Sequence, residues 1–219
     1  MQDTYRHKGM RRKLLQQLQK KMAFRPEVLA AIGSVPRHFF VDSAFEELAY
    51  KDQALPIGGG QTLSQPSTVA WQCSLLELSA GQRILEIGTG SGYQAAILQR
   101  MGAELDTYER QEALQLAAKK RFDALKLENL RSYFGDASEL PPLAQPYDGI
   151  LMSCAAEQIP KQLLAQLKIG GRMVLPLLFQ GQQRMFVIER KGEKTFEYED
   201  CGPCRFVPFL KGALPLQRK

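Results

Sequence analysis

Residues Arg83–Ala96 read RILEIGTGSGYQAA, and the fold turns on them. Ile84, Leu85 and Ile87 form a short apolar run of strand length, and beyond the turn Tyr93, Ile97 and Met101 recur at four-residue spacing. A strand therefore feeds a helix through Gly88, Gly90 and Gly92. Glycines at such a turn permit positive φ and a close backbone approach to a ligand, while the start of the helix offers unpaired N–H groups. This is a nucleotide site in outline.

The dinucleotide fingerprint G-x-G-x-x-G needs its third glycine three positions after the second. Tyr93 stands there, the spacing is G-x-G-x-G, and Glu86 sits two places before the first glycine. A carboxylate facing the turn repels a pyrophosphate and suits a ligand with a cationic end. S-adenosylmethionine has a sulfonium and an ammonium and no phosphate. A second acid, Glu109, ends the next predicted strand 21 residues after Gly88, where folds of this kind bind a ribose diol. Turn, Glu86 and Glu109 together point to S-adenosylmethionine. The competing reading is an ordinary tight turn with two surface acids.

Outward from this turn the pattern alternates. Strands are expected at Ala103–Tyr108, Leu130–Phe134, Tyr147–Met152 and Arg172–Leu175, the last after a turn at Gly170 and Gly171, and helices over Leu114–Phe122 and Pro160–Leu167. Such alternation argues a parallel sheet with helices on both faces. The segment RMFVIERKGEKTFEYE instead gives two strands about a Lys-Gly-Glu turn, an antiparallel hairpin at the sheet edge. In front of the sheet two helices are predicted, the second starting at Pro26 and stopping near Gly33, then a short helix over Asp42–Leu48. ALPIGGGQTLSQPSTVA follows, too rich in glycine and proline for regular structure, then a helix over Ser67–Leu78. The division expected is 1–80 as helical cap and substrate loop and 81–219 as cofactor-binding core, one compact domain together.

The chain of 219 residues, 44% hydrophobic and 24% charged, fits one α/β domain, and no apolar run reaches the roughly 20 residues needed to cross a bilayer. The N-terminus has basic residues without an apolar stretch or small-residue cleavage site, so the cytoplasm is the expected compartment. A net charge of +6 admits a nucleic-acid partner, with basic residues clustered over Arg6–Lys21. Leu14, Leu18 and Met22, however, make one helical stripe, so those cations read as the solvated face of an amphipathic helix, and no nucleic-acid partner is expected. Cys201 and Cys204 form C-x-x-C, which invites redox or zinc readings. Neither finds its context. No helix opens at the pair, and Cys73, Cys154, His7 and His38 lack metal spacing. Reduced thiols in a strand-connecting turn, no metal, and a packing or surface role for His38 are the expectations.

Taken in order, ALPIGGGQTLSQPSTVA, ILEIGTGSGYQAAIL, QPYDGILMSCAAEQIP, QLKIGGRMVLP and RFVPFLKG resemble the protein-L-isoaspartate O-methyltransferase family, from about VPRHFFVD to the C-terminus. The resemblance implies a doubly wound, mostly parallel seven-stranded Rossmann-like methyltransferase sheet. It implies methyl transfer from S-adenosylmethionine to the carboxylate of isoaspartyl residues in damaged proteins and peptides, by a monomer. The family's QT-I-S-Q-P loop falls on Gln61, Thr62, Leu63, Ser64, Gln65 and Pro66, with Ser64 at the active-site serine. Its glycine motif falls on Glu86, Gly88, Thr89, Gly90 and Gly92, its ribose acid on Glu109, and its adenine-side pair on Asp136 and Ala137. By spacing alone Asp136 reads equally as an ordinary turn aspartate. The chain departs from the pattern at Ala137, where glycine is usual, in SELPPLAQ, and in PLLF at Pro176–Phe179, where PVG is usual. These departures motivate an alternative, methyl transfer to another carboxylate or small-molecule acceptor. A further alternative is a non-enzymatic cofactor-sensing or nucleic-acid-binding module.

Overall fold

The computed structural model describes residues 2–140 and 145–216; part of the expected proline-rich loop, 141–144, lies outside them. Helix α1 (Tyr5–Lys21) is capped by Thr4, whose hydroxyl accepts the His7 N–H while the His7 ring accepts the Thr4 N–H. Its buried face is His7, Arg11, Leu14 and Leu18. Met22, expected on this stripe, falls at the C-cap and is half exposed, because the helix has ended by then. Three of the basic residues pair with acids, Arg6 with Glu47, Arg11 with Asp3 at 2.8 Å and Lys21 with Asp52 at 2.6 Å, while Lys8, Arg12, Lys13 and Lys20 are exposed.

His7 and His38, 31 positions apart in sequence, stack with ring centroids 3.8 Å apart, beside Asp3. Their polar atoms are engaged within the protein. The His7 ring meets Thr4 and Glu46, His38 meets the Tyr50 hydroxyl at 2.7 Å and the Gln2 carbonyl, and Asp3 chelates Arg11. His38 therefore packs.

Helix α2 (Pro26–Ser34) opens with its proline in the first turn, as expected, and two 3-10 turns follow at Arg37–Phe40 and Ser43–Leu48. The stretch expected to be irregular contains an antiparallel hairpin, β1 (Leu55–Gly58) with β2 (Gln61–Leu63), turned by glycines 58–60 at positive φ. Helix α3 (Pro66–Leu76) follows at once.

The core runs β3 (Arg83–Ile87), α4 (Tyr93–Arg100), β4 (Glu104–Glu109), α5 (Glu112–Ala124), β5 (Leu130–Phe134), β6 (Tyr147–Met152), α6 (Lys161–Leu164), β7 (Leu167–Phe179), β8 (Gln182–Arg190) and β9 (Phe196–Pro203). The seven strands lie in the order β5-β4-β3-β6-β7-β8-β9, parallel from β5 to β7 and antiparallel from β7 to β9. Two expectations give way here. Helix α6 is one turn long, not eight residues, and β7 begins five residues earlier than its apolar run. Gly170, at φ +82, and Gly171 carry a bulge within β7 rather than a turn before it.

Side chains alternate along the strands. Ile84 and Val174 pack into one apolar cluster with α1 to α5, while Leu85, Ile87, Met173 and Leu175 pack into the cluster on the other face. The first cluster joins Leu14, Val28 and Phe40 to Ile97, Ala118 and Met185 without a break. Among the described residues no helix is long and apolar enough to cross a membrane.

Candidate active site

The winding reverses between β3 and β6, and the carboxyl ends of the strands around that point meet the glycine turn. Gly88 and Gly92 take φ values of +92 and +88, and a Cβ on Gly92 would stand 2.5 Å from the Phe122 ring. Positive φ and that contact together require glycine there. Within 88–92 four of the five N–H groups are spoken for, and that of Ser91 has no partner among the described residues. Those of Gly88 and Thr89 bond the Tyr108 carbonyl, that of Gly92 bonds the Thr89 carbonyl, and that of Gly90 bonds Glu109 Oε2 at 2.9 Å. The other oxygen of Glu109 accepts the Gln111 N–H, also at 2.9 Å.

A cavity with about 80 Å³ of free space lies against this turn. Its walls bring together Gln61, Thr62, Leu63 and Ser64 from the hairpin, Gly88, Thr89 and Gly90 from the turn, Glu109 at the end of β4, and Asp136 and Ala137 after β5. Gly92 and Glu86 are off the wall. Gly92 serves as the left-handed cap of α4. Glu86 is buried in β3 beside its register partner Thr107, which donates to Glu86 Oε2 at 2.6 Å. A chain of hydroxyls, Thr89 to Thr107, links the cavity to it. The other oxygen, Oε1, has no partner among the described residues. Burial pushes the Glu86 carboxyl up to about 8, opposed by the Thr107 bond and aided by Glu109. The acid that faces the cavity is thus Glu109, with Glu86 a neutral neighbour near pH 7.

Asp136 accepts the N–H groups of Ser138 and Gly212. Burial works against its charged form, but these bonds outweigh it and hold the carboxyl below its ordinary range. Ala137 sits in a 3-10 turn, outside the left-handed region, so its methyl is accommodated where glycine is usual. Pro176–Phe179 run into the β7–β8 hairpin and do not line the cavity.

Sequence reasoning missed several walls. Tyr108 and Arg110, which flank Glu109, are two of them; Ser153 and Cys154, expected at this rim because they follow Met152, do line it. The signal for the missed pair was available, since every residue just past a parallel strand shares that rim. The RFVPF segment, expected from the sequence as a strand and, with the Gly58–Gly60 loop, as a candidate substrate wall, does supply Val207 and Phe209 as wall, but through a single bridge at Pro208. The fully buried Arg37, which donates to the Ser64 carbonyl at 2.9 Å, carried no pattern that singled it out.

Cys201 ends in β9 rather than a turn, and Cys204 lies just past that strand. Burial raises both thiols, Cys204 to about 11, so neither is an activated nucleophile near neutral pH.

The donor set discriminates between cofactors. A phosphate at this turn needs free N–H groups, and those of Gly88, Thr89, Gly90 and Gly92 are bound, one of them by a carboxylate. Two carboxylates, Glu109 and Asp136, line the cavity, and its cation Arg110 donates to the Gly212 carbonyl. This acid-lined wall suits a nucleoside carrying positive charge better than a dinucleotide, whose pyrophosphate would find one unbonded N–H, that of Ser91, and two carboxylates.

Comparison with known proteins agrees. The family model for protein-L-isoaspartate(D-aspartate) O-methyltransferase matches residues 9–213. The chain is 47% identical over 210 residues to the protein-L-isoaspartate O-methyltransferase of Cytophaga hutchinsonii, across 96% of this chain and 95% of that one. It is similar to a solved protein-L-isoaspartate O-methyltransferase with a TM-score of 0.82 at 28% identity, over 90% of this chain and 65% of the other. A Plasmodium falciparum structure of that description, in complex with S-adenosyl-L-homocysteine, shares the fold with a TM-score of 0.81 at 20% identity, over 94% of this chain and 99% of the other. On the strength of a match that runs through nearly all of its length, the chain belongs to the protein-L-isoaspartate(D-aspartate) O-methyltransferase family.

Proposed function

We propose that this protein transfers a methyl group from S-adenosylmethionine to the free carboxylate of L-isoaspartyl residues in damaged proteins and peptides, and so starts their repair. We further place it in the cytoplasm as a monomer, with residues 1–80 capping the 81–219 core. One observation carries the cofactor reading: the glycine turn spends four of its five N–H groups on Tyr108, Thr89 and Glu109, which leaves that of Ser91 alone to meet a phosphate.

Glu109 would hold the ribose hydroxyls, using the lone pairs left after Gly90 and Gln111. Asp136 and Ala137 would meet the adenine, and Gln61, Thr62 and Leu63 would close the remaining wall. When bound, S-adenosylmethionine supplies an electrophilic methyl carbon on a sulfonium. The acceptor carboxylate is ionised near pH 7, its free pKa being about 4, so no side chain need remove a proton. The Ser64 hydroxyl would donate a hydrogen bond to that carboxylate and fix its line of approach. A nucleophilic serine would want a G-x-S-x-G elbow and a partner base; Ser64 lies between β2 and α3 but in T-L-S-Q-P, and among the described residues no base bonds its hydroxyl. Catalysis then comes mostly from positioning, which can supply roughly 7–11 kcal/mol.

The ester leaves more readily than a carboxylate. The next backbone nitrogen of the substrate displaces methanol, closing a succinimide that water opens partly to normal aspartate. That sequence needs no protein residue. The test is transfer of labelled methyl to an isoaspartyl peptide and its aspartyl twin. Labelling of the isoaspartyl form alone is expected, and equal labelling of the two would overturn the reading.

A further inference from the structure

A second groove, with about 290 Å³ of free space, opens beside the cofactor cavity. Thr62, Ser64, Ser153 and Val207 line both, so a carboxylate held at Ser64 has its flanking residues in this groove. Its lining includes two cations, Lys21 and Arg205, and no carboxylate. The two cations differ in freedom. Lys21 is held by Asp52 at 2.6 Å and by the Ser67 hydroxyl at 3.1 Å. Arg205 is exposed, and no hydrogen bond or ion pair of its guanidinium is made to any described residue.

The neighbours of Arg205 are fixed although its side chain is not. Gln183 accepts the Cys204 N–H on its carbonyl and the Phe206 N–H on its side chain, and donates to the Phe206 carbonyl. A tethered backbone thus presents an untethered cation to the groove. Such a guanidinium binds a carboxylate through two parallel N–H bonds, a geometry an ammonium cannot match.

We propose that this groove selects isoaspartyl peptides carrying a second carboxylate near the damaged one in sequence, with Arg205 as its partner. The proposal rests on the functional reading above and deepens it to a substrate class. The second carboxylate is an acidic side chain or the α-carboxylate of a nearby C-terminus. Methylation removes the charge at Ser64 and leaves the one at Arg205, so the ester is held less firmly than the acid and departs.

The groove contains a reporter. Trp71, the single tryptophan of the chain, lines it, so peptide binding can be read by intrinsic fluorescence without methyl donor. Three isoaspartyl peptides suffice: one amidated with Glu two residues beyond the isoaspartate, its amidated Gln twin, and the Gln peptide ending there in a free carboxylate. At low ionic strength the protein is expected to bind a doubly charged peptide about five-fold more tightly than the neutral twin. The preference should shrink between about 0.05 and about 0.5 M salt. Preference for the Glu peptide assigns the side chain as source, and preference for the free-terminus peptide assigns the α-carboxylate. Either supports the proposal. In Arg205→Gln both doubly charged peptides should fall to the affinity of the neutral one, with an unchanged thermal midpoint because that side chain bonds no described residue.

Equal binding of charged and neutral peptides by the unmodified protein, or a preference that survives Arg205→Gln, would overturn the proposal alone. Failure to bind any isoaspartyl peptide in preference to its aspartyl twin would remove the functional reading and this inference with it.

Discussion

Arg37 Nη2 donates to the carbonyl of Ser64 at 2.9 Å from a side chain with no solvent exposure. Its Nε and Nη1 have no partner among the described residues, and its Cζ lies 4.6 Å from the centre of the Tyr93 ring. Burial lowers its pKa. A buried cation with two unbonded donors costs stability. Its one hydrogen bond among the described residues fixes the backbone that carries Ser64. Arg37→Met is expected to lower kcat at least about ten-fold while the thermal midpoint holds or rises, since the buried charge goes with it. Ser64→Ala should lower kcat comparably. In both, cofactor affinity measured by calorimetry stays near its original value. Turnover unaffected by either substitution would refute the positioning role.

Glu109 ties two N–H groups at once, those of Gly90 and Gln111. Glu109→Gln keeps the shape and one acceptor oxygen, and turns the second oxygen into a donor facing an N–H. Affinity for S-adenosyl-L-homocysteine should fall at least about ten-fold, as expected for charged hydrogen bonds worth roughly 1.5–3 kcal/mol. The measurement is a calorimetric titration, and an unaltered isotherm would count against Glu109 as the ribose ligand.

Glu86 gives stability a pH dependence. Its carboxyl is pushed up to about 8 from an ordinary 4.5, burial being the main cause. Between those values the folded protein keeps a proton that the unfolded chain releases. This contribution is therefore complete below pH 4.5, declines as pH rises to about 8 and is level above it. Glu86→Gln cannot lose that proton. Urea midpoints at about pH 5 and about pH 9 should show the variant gaining on the unmodified protein as pH rises. Parallel pH profiles would show that the carboxyl is not raised.

The mouth of the cofactor cavity is clasped from two sides. Gln111 Nε2 bonds the Gly59 carbonyl at 3.0 Å, and Arg110 Nε bonds the Gly212 carbonyl at 2.9 Å. Gln111 and Arg110 both line the cavity, so these ties hold its rim in place. Gln111→Ala removes the tie to the hairpin turn. Stopped-flow release of S-adenosyl-L-homocysteine should quicken several-fold, and an unchanged release rate would place the gate elsewhere.

The strand, turn and helix around Gly88 were legible because period and glycine spacing are local signals, and Glu109 followed from a fixed offset along one βαβ unit. The β1–β2 hairpin was not legible. Pro56 and three consecutive glycines hide a strand pair whose stability comes from packing, Leu55 and Leu63 being buried in the main core. The bulge at Gly170 and Gly171 was read as a turn for a related reason, since glycine marks both. An acid at position 86 was visible, but its neutral, buried state depends on Thr107 from the neighbouring strand. Arg37 and the stacked His7 and His38 are products of tertiary contact. Nothing in their local sequence marks which carbonyl or ring they meet.

The central claim is repair, and its most direct measurement follows an isoaspartyl peptide incubated with the protein and S-adenosylmethionine, its isomers separated by chromatography over time. The account predicts that the isoaspartyl peak declines and the aspartyl peak grows, through methyl ester and succinimide, only when protein and donor are both present. An isoaspartyl peak that stays constant under those conditions, or methyl ester formed on the aspartyl peptide instead, would contradict it.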